Sequence, residues 1–455
     1  MIAVCLMLSM MAGLLTGCGD NSPAASSGEQ GADVLESDVS GAQTGQEDAE
    51  NTGNDNKAMG RYVENSVDIS EYTTLSCGIT ALSDGRFLVL DKEAGMLVSE
   101  DGGVTWQVEA VPGISDLAAF TKENYIFTMK ADTDGTVAVL SSPNTDGDGD
   151  FHTGLLMTGP DGNTRTITEL TASEEGYVSD IWFGPDGRLF ARIIGGSGLY
   201  EVDTETGEMH KYMSLPNMPD LLQFQGDYMI LLTPQDGITF YNMKEEKWVE
   251  DSVLAEFMRQ NYLDGYYCHD TFSVYMVPGE EGTLYVAGKG GVYRHVIGGS
   301  AMEQIIDGGL SSFSNPSMSI VNMIALPNNE FMVLFTGGKL VHYVYDPAVP
   351  TVPDELVTVY SLREENKVRQ AIAQYQAQNP QAFVRYEVGM SGMDATGRED
   401  AIKKLNTELM AGRGPDILIL DGLPADSYIE KGVLLDLSGH IGQMTGEQEL
   451  LPNIV

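Results

Sequence analysis

The chain has 455 residues, 20% of them charged, with Lys and Arg at 25 against Asp and Glu at 67, for a formal net charge of −42. Such a surplus of carboxylates repels phosphate, which excludes a nucleic-acid partner and suits an acidic, soluble surface facing the cell exterior. The length allows two or three domains with sizeable cores.

From Ile2 to Leu15 the chain is almost wholly apolar, too short for a comfortable membrane span and of the length of a signal h-region. Leu15-Thr16-Gly17-Cys18 follows and resembles a bacterial lipobox, where small residues admit the peptidase and the Cys18 thiol takes the lipid. No Lys or Arg precedes Cys18, although a signal needs a basic start, so the true start is expected upstream or the gene start is clipped. A lipid on Cys18 would tether the protein to the membrane without spanning it. Residues 19–60 hold nine acids, a single Lys57 and almost no large apolar side chain. Such a stretch buries too little to offset its ordering entropy, and it reads as a disordered, self-repelling acidic tether.

Residues 61–350 are rich in short apolar or alternating runs punctuated by Gly, Asp and Asn, as strands and turns are. The best helical exception is Ser252 to Gln260. One phrase recurs: an apolar entry, an acidic or amide turn, then an apolar strand. It is found as ALSDGRFLVLD from Ala81, AFTKENYIFTM from Ala119, WFGPDGRLFARI from Trp182, QFQGDYMILLT from Gln223, VPGEEGTLYVAG from Val277 and ALPNNEFMVLF from Ala325. The spacing, roughly 40 to 60 residues, is that of propeller blades. Six phrases predict an all-β propeller of six blades, or seven if one is degenerate; an array of β-sandwiches is the rival.

Ser99-Glu100-Asp101-Gly102-Gly103-Val104-Thr105-Trp106 resembles the Asp-box of sialidase-like propellers. Its Ser and Asp side chains should bond turn amides, its Gly should take a positive φ, and its Trp should pack between strands. That is a folding device and carries little functional weight. A sialidase-like glycosidase would need an arginine cluster, and no motif joins Arg61, Arg86, Arg165, Arg188, Arg192, Arg259 and Arg294, so no catalysis is expected. Asn144, Asp146, Asp148 and Asp150 alternate like the start of a calcium loop, with Gly149 at the sixth place. Asn stands at the first ligand position and Leu155 where the twelfth-position Glu belongs, so a bland hairpin tip competes with a Ca²⁺ site. No other cofactor is expected. The six His residues have no metal-ligand spacing, and Trp106, Trp182 and Trp248 read as core before sugar platform. Cys77 and Cys268 read as two separate buried thiols, with a disulfide as the alternative.

Pro347, Pro350 and Pro353 stiffen a joint to a carboxyl-terminal module at 351–455. Leu356 to Tyr360 predicts a strand; Val368, Ala371, Ile372 and Tyr375 mark the buried stripe of a helix that Asn379-Pro380 stops. Val384, Tyr386 and Val388 alternate as a second strand. Ile402, Leu405 and Leu409 form the stripe of a second helix, with Gly412 and Pro415 beyond it. Ile417 to Leu420 is apolar throughout, as a strand covered on both faces would be. The order βαβαβα predicts a parallel sheet with helices on its faces. Ser361-Leu362-Arg363, Met390-Ser391 and Asp421-Gly422 then fall at the carboxyl ends of the strands, where open α/β sheets bind ligands.

The run LNTELMAGRGPDILILDGLP from Leu405, with YIEKGVLLDL from Tyr428, resembles the first lobe of family 1 extracellular solute-binding proteins, the receptors of ABC importers. The resemblance implies a multidomain chain: a propeller followed by an incomplete α/β periplasmic-binding-protein-like lobe, the product being truncated. It implies a lipid-anchored, extracytoplasmic receptor that passes a small solute, a sugar, to an ABC permease. Ser361, Arg363, Ser391, Asp421 and Gly422 would line the cleft, with Asp421 accepting sugar hydroxyls, Gly422 admitting ligand to the backbone and Arg363 binding a hydroxyl or an acid. Two rivals remain: an interaction or glycan-sensing propeller lipoprotein with a vestigial receptor lobe, and, behind it, a surface glycosidase.

Overall fold

The computed structural model describes residues 58–437, except 74, 145–151, 173–175, 197, 263–273, 281, 354, 380 and 391–396. Cys18, the acidic tether, Asp146, Asp148, Asp150, Cys268 and Ser391 therefore lie outside the described residues.

The first strand, β1 (Met59–Asp68), belongs to the last sheet of the propeller. Blade 1 is β2 (Ser76–Ala81), β3 (Phe87–Asp91), β4 (Gly95–Ser99) and β5 (Gln107–Glu109). A short helix, α1 (Leu117–Glu123), leads to blade 2: β6 (Asn124–Ala131), β7 (Val137–Pro143), β8 (Gly154–Thr158) and β9 (Thr164–Ile167). Blade 3 is β10 (Tyr177–Phe183), β11 (Leu189–Ile194), β12 (Gly198–Val202) and β13 (Met209–Ser214). Blade 4 is β14 (Leu221–Gln225), β15 (Tyr228–Thr233), β16 (Gly237–Asn242) and β17 (Lys247–Val249), followed by α2 (Ser252–Asn261). Blade 5 is β18 (Tyr275–Pro278), β19 (Thr283–Gly288), β20 (Gly291–Val296) and β21 (Met302–Asp307). Blade 6 is β22 (Ile320–Leu326), β23 (Glu330–Phe335) and β24 (Lys339–Pro350), with β1 as its outermost strand. The propeller thus has six blades of four strands, and its ring is closed by the chain's first strand pairing with one of its last.

The core follows from this closure. Each blade packs its two faces on its two neighbours, and the buried side chains form one cluster per interface. In β23, Phe331, Val333 and Phe335 face blade 5, while Met332 and Leu334 face blade 1. A strand buried on both faces needs no polar alternation, which is why FLVLD, MILLT and FMVLF are unbroken apolar runs. Five of the six recurrent phrases are the turns between the first two strands of a blade. The phrase at Ala119 is different: it is α1 running into β6, and the turn of blade 2 lies further on, at Asp132-Thr133-Asp134-Gly135. Asp116 caps the start of α1, accepting from the Ala119 amide, and the Lys122-Glu123-Asn124 that reads as an acidic or amide turn is the helix's carboxyl end, where Asn124 Nδ2 donates to the Phe120 carbonyl.

The Ser99–Trp106 turn is built by local bonds. Gly103 N donates to Ser99 Oγ at 2.9 Å, and the Val104 and Thr105 amides donate to Asp101 Oδ1. Gly102 and Gly103 have φ of 78° and 90°, and Trp106 is buried with its indole donating to the Gly103 carbonyl.

Beyond its pairing with β23, β24 continues with β1 alone as a two-stranded ribbon, to Met59 opposite Pro350. Pro347 and Pro350 sit where its register slips, a place where missing amide donors do least harm. Thr351 N then bonds the Ala58 carbonyl, so the module starts where the ribbon ends.

The module is β25 (Glu355–Arg363), α3 (Asn366–Gln378), β26 (Ala382–Met390), α4 (Arg398–Met410), β27 (Ile417–Ile419) and α5 (Ala425–Glu430). Its three strands are parallel in the order β26-β25-β27. Tyr360 and Leu362 pack on Ala401 and Leu405 of α4, while Ser361 and Tyr386 on the other face lie under α3. Two expectations fail here. The α3 stripe is rotated: Ala373 and Gln376 are buried and Tyr375 is 47% exposed. The β27 strand is not covered on both faces, since Ile417 is 48% and Leu420 37% exposed. It pairs with β25 along one edge, and α3 contacts β26, on the far side of the sheet.

Candidate functional site

Two places gather polar groups at strand ends or strand edges. The first is the carboxyl edge of the α/β sheet. From β25 the chain crosses to β26 on one side, then returns past β25 to β27 on the other. The ends of β25 and β27 therefore flank a topological switch point, where the connecting segments diverge and leave a crevice. Ser361 pairs with Ile419, and Arg363 and Asp421 each lie two residues further on. Arg363, Asp421 and Gly422 are exposed. Gly422 has φ of 72°, and a Cβ there would come within 2.9 Å of Leu362 Cδ2, so the turn needs glycine.

Ser361 is placed differently from a loop residue. It lies inside β25, 2% exposed, with its hydroxyl bonded to Tyr386 Oη at 2.6 Å and to the Arg363 carbonyl. The Tyr386 phenol also accepts from the Glu365 amide at 3.0 Å, so this trio holds the exit of β25 and the start of α3. Arg398, which sequence reasoning passed over, donates from Nη2 to the Gly422 carbonyl at 2.7 Å and adds a second guanidinium to the edge. Tyr428 packs inward, 2% exposed, its phenol donating to Asn406 Oδ1 at 2.9 Å. Burial pushes the phenols of Tyr360 and Tyr428 above the ordinary value.

The second place is the axis of the propeller. The inner strands of all six blades wall a cavity of about 410 Å³. An inner strand has a neighbour on one side only, so its other edge offers peptide groups to the channel. Side chains from adjoining blades answer some of them. Thr80 Oγ1 donates to the Ala131 carbonyl at 3.3 Å, Lys92 Nζ to the Phe127 carbonyl at 2.5 Å, and Ile79 N to Asn322 Oδ1 at 3.3 Å. Asn322 Nδ2 donates to Tyr275 Oη at 2.6 Å, and Gln223 bonds the same phenol from the preceding blade. Burial drives the Tyr275 phenol well up, so it stays a neutral hydrogen-bonding group. Lys130 Nζ stands 3.7 Å from Asp180 Oδ1. Asp180 and Asn322 directly follow β-bulges at Ser179 and Val321, and Cys77 and Phe127 are bulged in the same way. None of these residues carries a motif in the sequence; blade closure alone brings them together.

The remaining candidates fall in place as follows. Asn144 donates its side-chain amide to the Lys122 carbonyl at 3.0 Å and its backbone amide to the Glu123 carbonyl at 2.7 Å, so it fastens the end of α1. Among the described residues no three His, Cys, Asp or Glu side chains gather as a metal site. His295 is buried between Asp251, at 2.7 Å from Nε2, and the Ala301 carbonyl, at 2.9 Å from Nδ1. Burial opposes charge on Asp251, but bonds from His295 and from the Leu254 and Gly298 amides outweigh it and hold the carboxyl below its ordinary value. Trp106 and Trp182 are buried, whereas Trp248 is 47% exposed, edge-on to Tyr241 at 5.4 Å. Cys77 is a free thiol.

No family model and no curated protein matches the chain. Among solved structures it is similar to virginiamycin B lyase from Staphylococcus aureus, with 12% identity over 62% of this chain and 99% of that one and a TM-score of 0.39. It is similar to YCF48 from Cyanidioschyzon merolae, with 13% identity, 62% and 98% coverage and a TM-score of 0.40. It is also similar to the soluble aldose sugar dehydrogenase from Escherichia coli, with 11% identity, 63% and 100% coverage and a TM-score of 0.39. The chain is a six-bladed β-propeller that carries a three-stranded parallel α/β module on a ribbon of its last blade.

Proposed function

We propose that the chain is an extracytoplasmic solute-binding lipoprotein, anchored through Cys18, that captures a sugar for an ABC permease and performs no chemistry on it. The observation that carries this reading is the switch point at the ends of β25 and β27. There an exposed carboxylate, Asp421, can accept hydroxyl hydrogens, and Arg363 and Arg398 can donate to hydroxyl oxygens. Gly422 lets a ligand reach the backbone. The extended likeness of Leu405–Leu437 to the first lobe of family 1 receptors supports the same assignment.

The test is calorimetric titration of the full chain with a panel of mono- and disaccharides. At least one sugar should bind, and Asp421→Asn and Arg363→Ala should each weaken it by about tenfold, a change of about 1.4 kcal/mol. Silence across the panel, or binding that both variants leave intact, sinks the reading. Cys18→Ser should move the protein from the membrane fraction to the medium.

A second reading, a glycan-sensing propeller lipoprotein, is favoured by one observation: the exposed Trp248, edge-on to the half-buried Tyr241, on the outer strands of blade 4. An aromatic face on the rim could stack on a sugar ring. Trp248→Ala should then abolish retention on immobilised glycans while sparing the carboxyl edge.

A further inference from the structure

We infer that the axial channel of the propeller is a second ligand site, independent of the carboxyl edge, and that it takes a small uncharged polyhydroxylated molecule of monosaccharide size. Size comes first. The cavity of about 410 Å³ lies within the range of small-ligand sites, about 300–1,000 Å³.

Charge narrows the class. Among the described residues Lys130 is the basic side chain that lines the cavity, while Lys92 beside it spends a donor on the Phe127 carbonyl, and Asp180 stands 3.7 Å from the Lys130 ammonium. At that separation the two neutralise each other without a close hydrogen bond. The ammonium keeps donors, and the Asp180 carboxylate keeps acceptor sites beyond the one that its neighbour's amide, Ile181 N, occupies. Asp132 also lines the wall. A chain of net charge −42 repels anionic ligands, and the lining ammonium, Lys130, is offset by Asp180.

Hydrogen-bonding capacity narrows it further. Asn322 and Gln223 keep amide donors and acceptors beyond the bonds already described, and Thr80 and Tyr275 keep hydroxyl lone pairs. A polyol offers a donor and an acceptor at each hydroxyl, which matches a wall of mixed amides and hydroxyls. Much of the rest of the wall is apolar: Trp182, Val277 and Ile324 line it. An amphipathic ring with C–H faces and a hydroxyl rim satisfies both kinds of surface, whereas a purely apolar ligand would strand the polar groups.

Hydrogen–deuterium exchange on the full chain tests this, with uncharged monosaccharides at millimolar concentration, and with glucuronate and glycine as charged controls. The uncharged sugars should slow exchange several-fold in Asn124–Ala131, Tyr177–Phe183, Leu221–Gln225 and Ile320–Leu326, and the controls should not. Lys130→Gln, a substitution at a side chain 29% exposed, should cut the apparent affinity about tenfold, the loss of one good charged contact. Asn322→Ser, with folding checked by circular dichroism, should do likewise. Protection confined to β25–β27 would overturn the channel site and leave the carboxyl-edge reading standing; protection confined to the inner strands would do the reverse. If no uncharged monosaccharide protects the inner strands, or if only the charged controls do, the inference is wrong.

Discussion

In the propeller, β23 buries every residue from Phe331 to Phe335; in the α/β module, β27 leaves Ile417 half in water. Both segments are equally apolar in sequence, so the difference lies in what surrounds them. A blade has a neighbour on each face because the ring closes, and the closure depends on β1 returning to β24. Among the described residues the module is an open sheet: α3 lies over β26 on one face, α4 over β26 and β25 on the other, and β27 sits at the edge away from β26. Closure, more than composition, decides how much burial an apolar strand obtains. Fully burying a Phe or Leu is worth about 1.5–3 kcal/mol, and the half-exposed Ile417 collects only part of the corresponding gain.

The largest predicted effect belongs to the closed region. Phe331→Ala should cost about 3–5 kcal/mol, because the side chain is 0% exposed and fills the interface of blades 5 and 6 against Tyr62 and Tyr285. Denaturant unfolding followed through tryptophan fluorescence measures it. A loss no larger than that of an edge-strand variant would break the contrast.

Next comes the seam between the two regions. Gln376, 7% exposed, donates from Nε2 to the Gly309 carbonyl at 2.6 Å and accepts from the Val384 amide at 2.6 Å. One side chain thus holds α3, the rim of β26 and the turn after β21. Gln376→Leu should strand a carbonyl and an amide at a cost of about 1–3 kcal/mol. Faster amide exchange at Val384, with the blades unchanged, is the expected signature.

The sequence carried the blades well for a physical reason. A strand buried on both faces and a Gly-Asp turn are local features, and they recur at each blade. Blade 2 shows the limit: the carboxyl end of α1, Lys122-Glu123-Asn124, running into β6 produced the same local phrase as a blade turn. The module was legible where helix stripes are strong, as with Leu405 in α4 and the half-buried Ile402 and Leu409 beside it, although the buried Ala401 was passed over, and it was misjudged in α3. There the buried face includes Gln376, a polar residue whose partners lie 67 and 8 residues away, and no periodicity reports that. At the carboxyl edge, Asp421 and Gly422 were legible because strand, turn and helix follow one another in sequence. Arg398 was not, since it reaches the Gly422 carbonyl from 24 residues away. The axial channel was wholly hidden, because its wall takes only a few residues from each blade.

A smaller effect tests the propeller's local turns. Asp101 accepts from the Thr105 hydroxyl and amide, from Ser99 and from the Val104 amide, and these bonds, led by the Thr105 hydroxyl, lower its carboxyl to about 2. A depressed folded value means that the turn gains from the charged form at pH above the ordinary 3.8 and loses that gain as pH falls through about 2. Carboxyl chemical shifts should therefore place the Asp101 midpoint near 2. A midpoint at the ordinary value would mean that the turn is open in solution.

The smallest effect is predicted at Ile417, and it is the sharpest test of the contrast. Ile417→Ser removes an apolar side chain that is 48% exposed on a three-residue edge strand. Ordinary surface substitutions stay within about 0.5 kcal/mol, and a polar residue on an edge strand also discourages pairing with other chains. Thermal unfolding should be unchanged, with less self-association at high concentration. A loss approaching that of a buried Ile, about 2–5 kcal/mol on truncation, would show that another surface covers β27 in solution. The open sheet would then be closed as the propeller is, by a partner face in place of a returning strand.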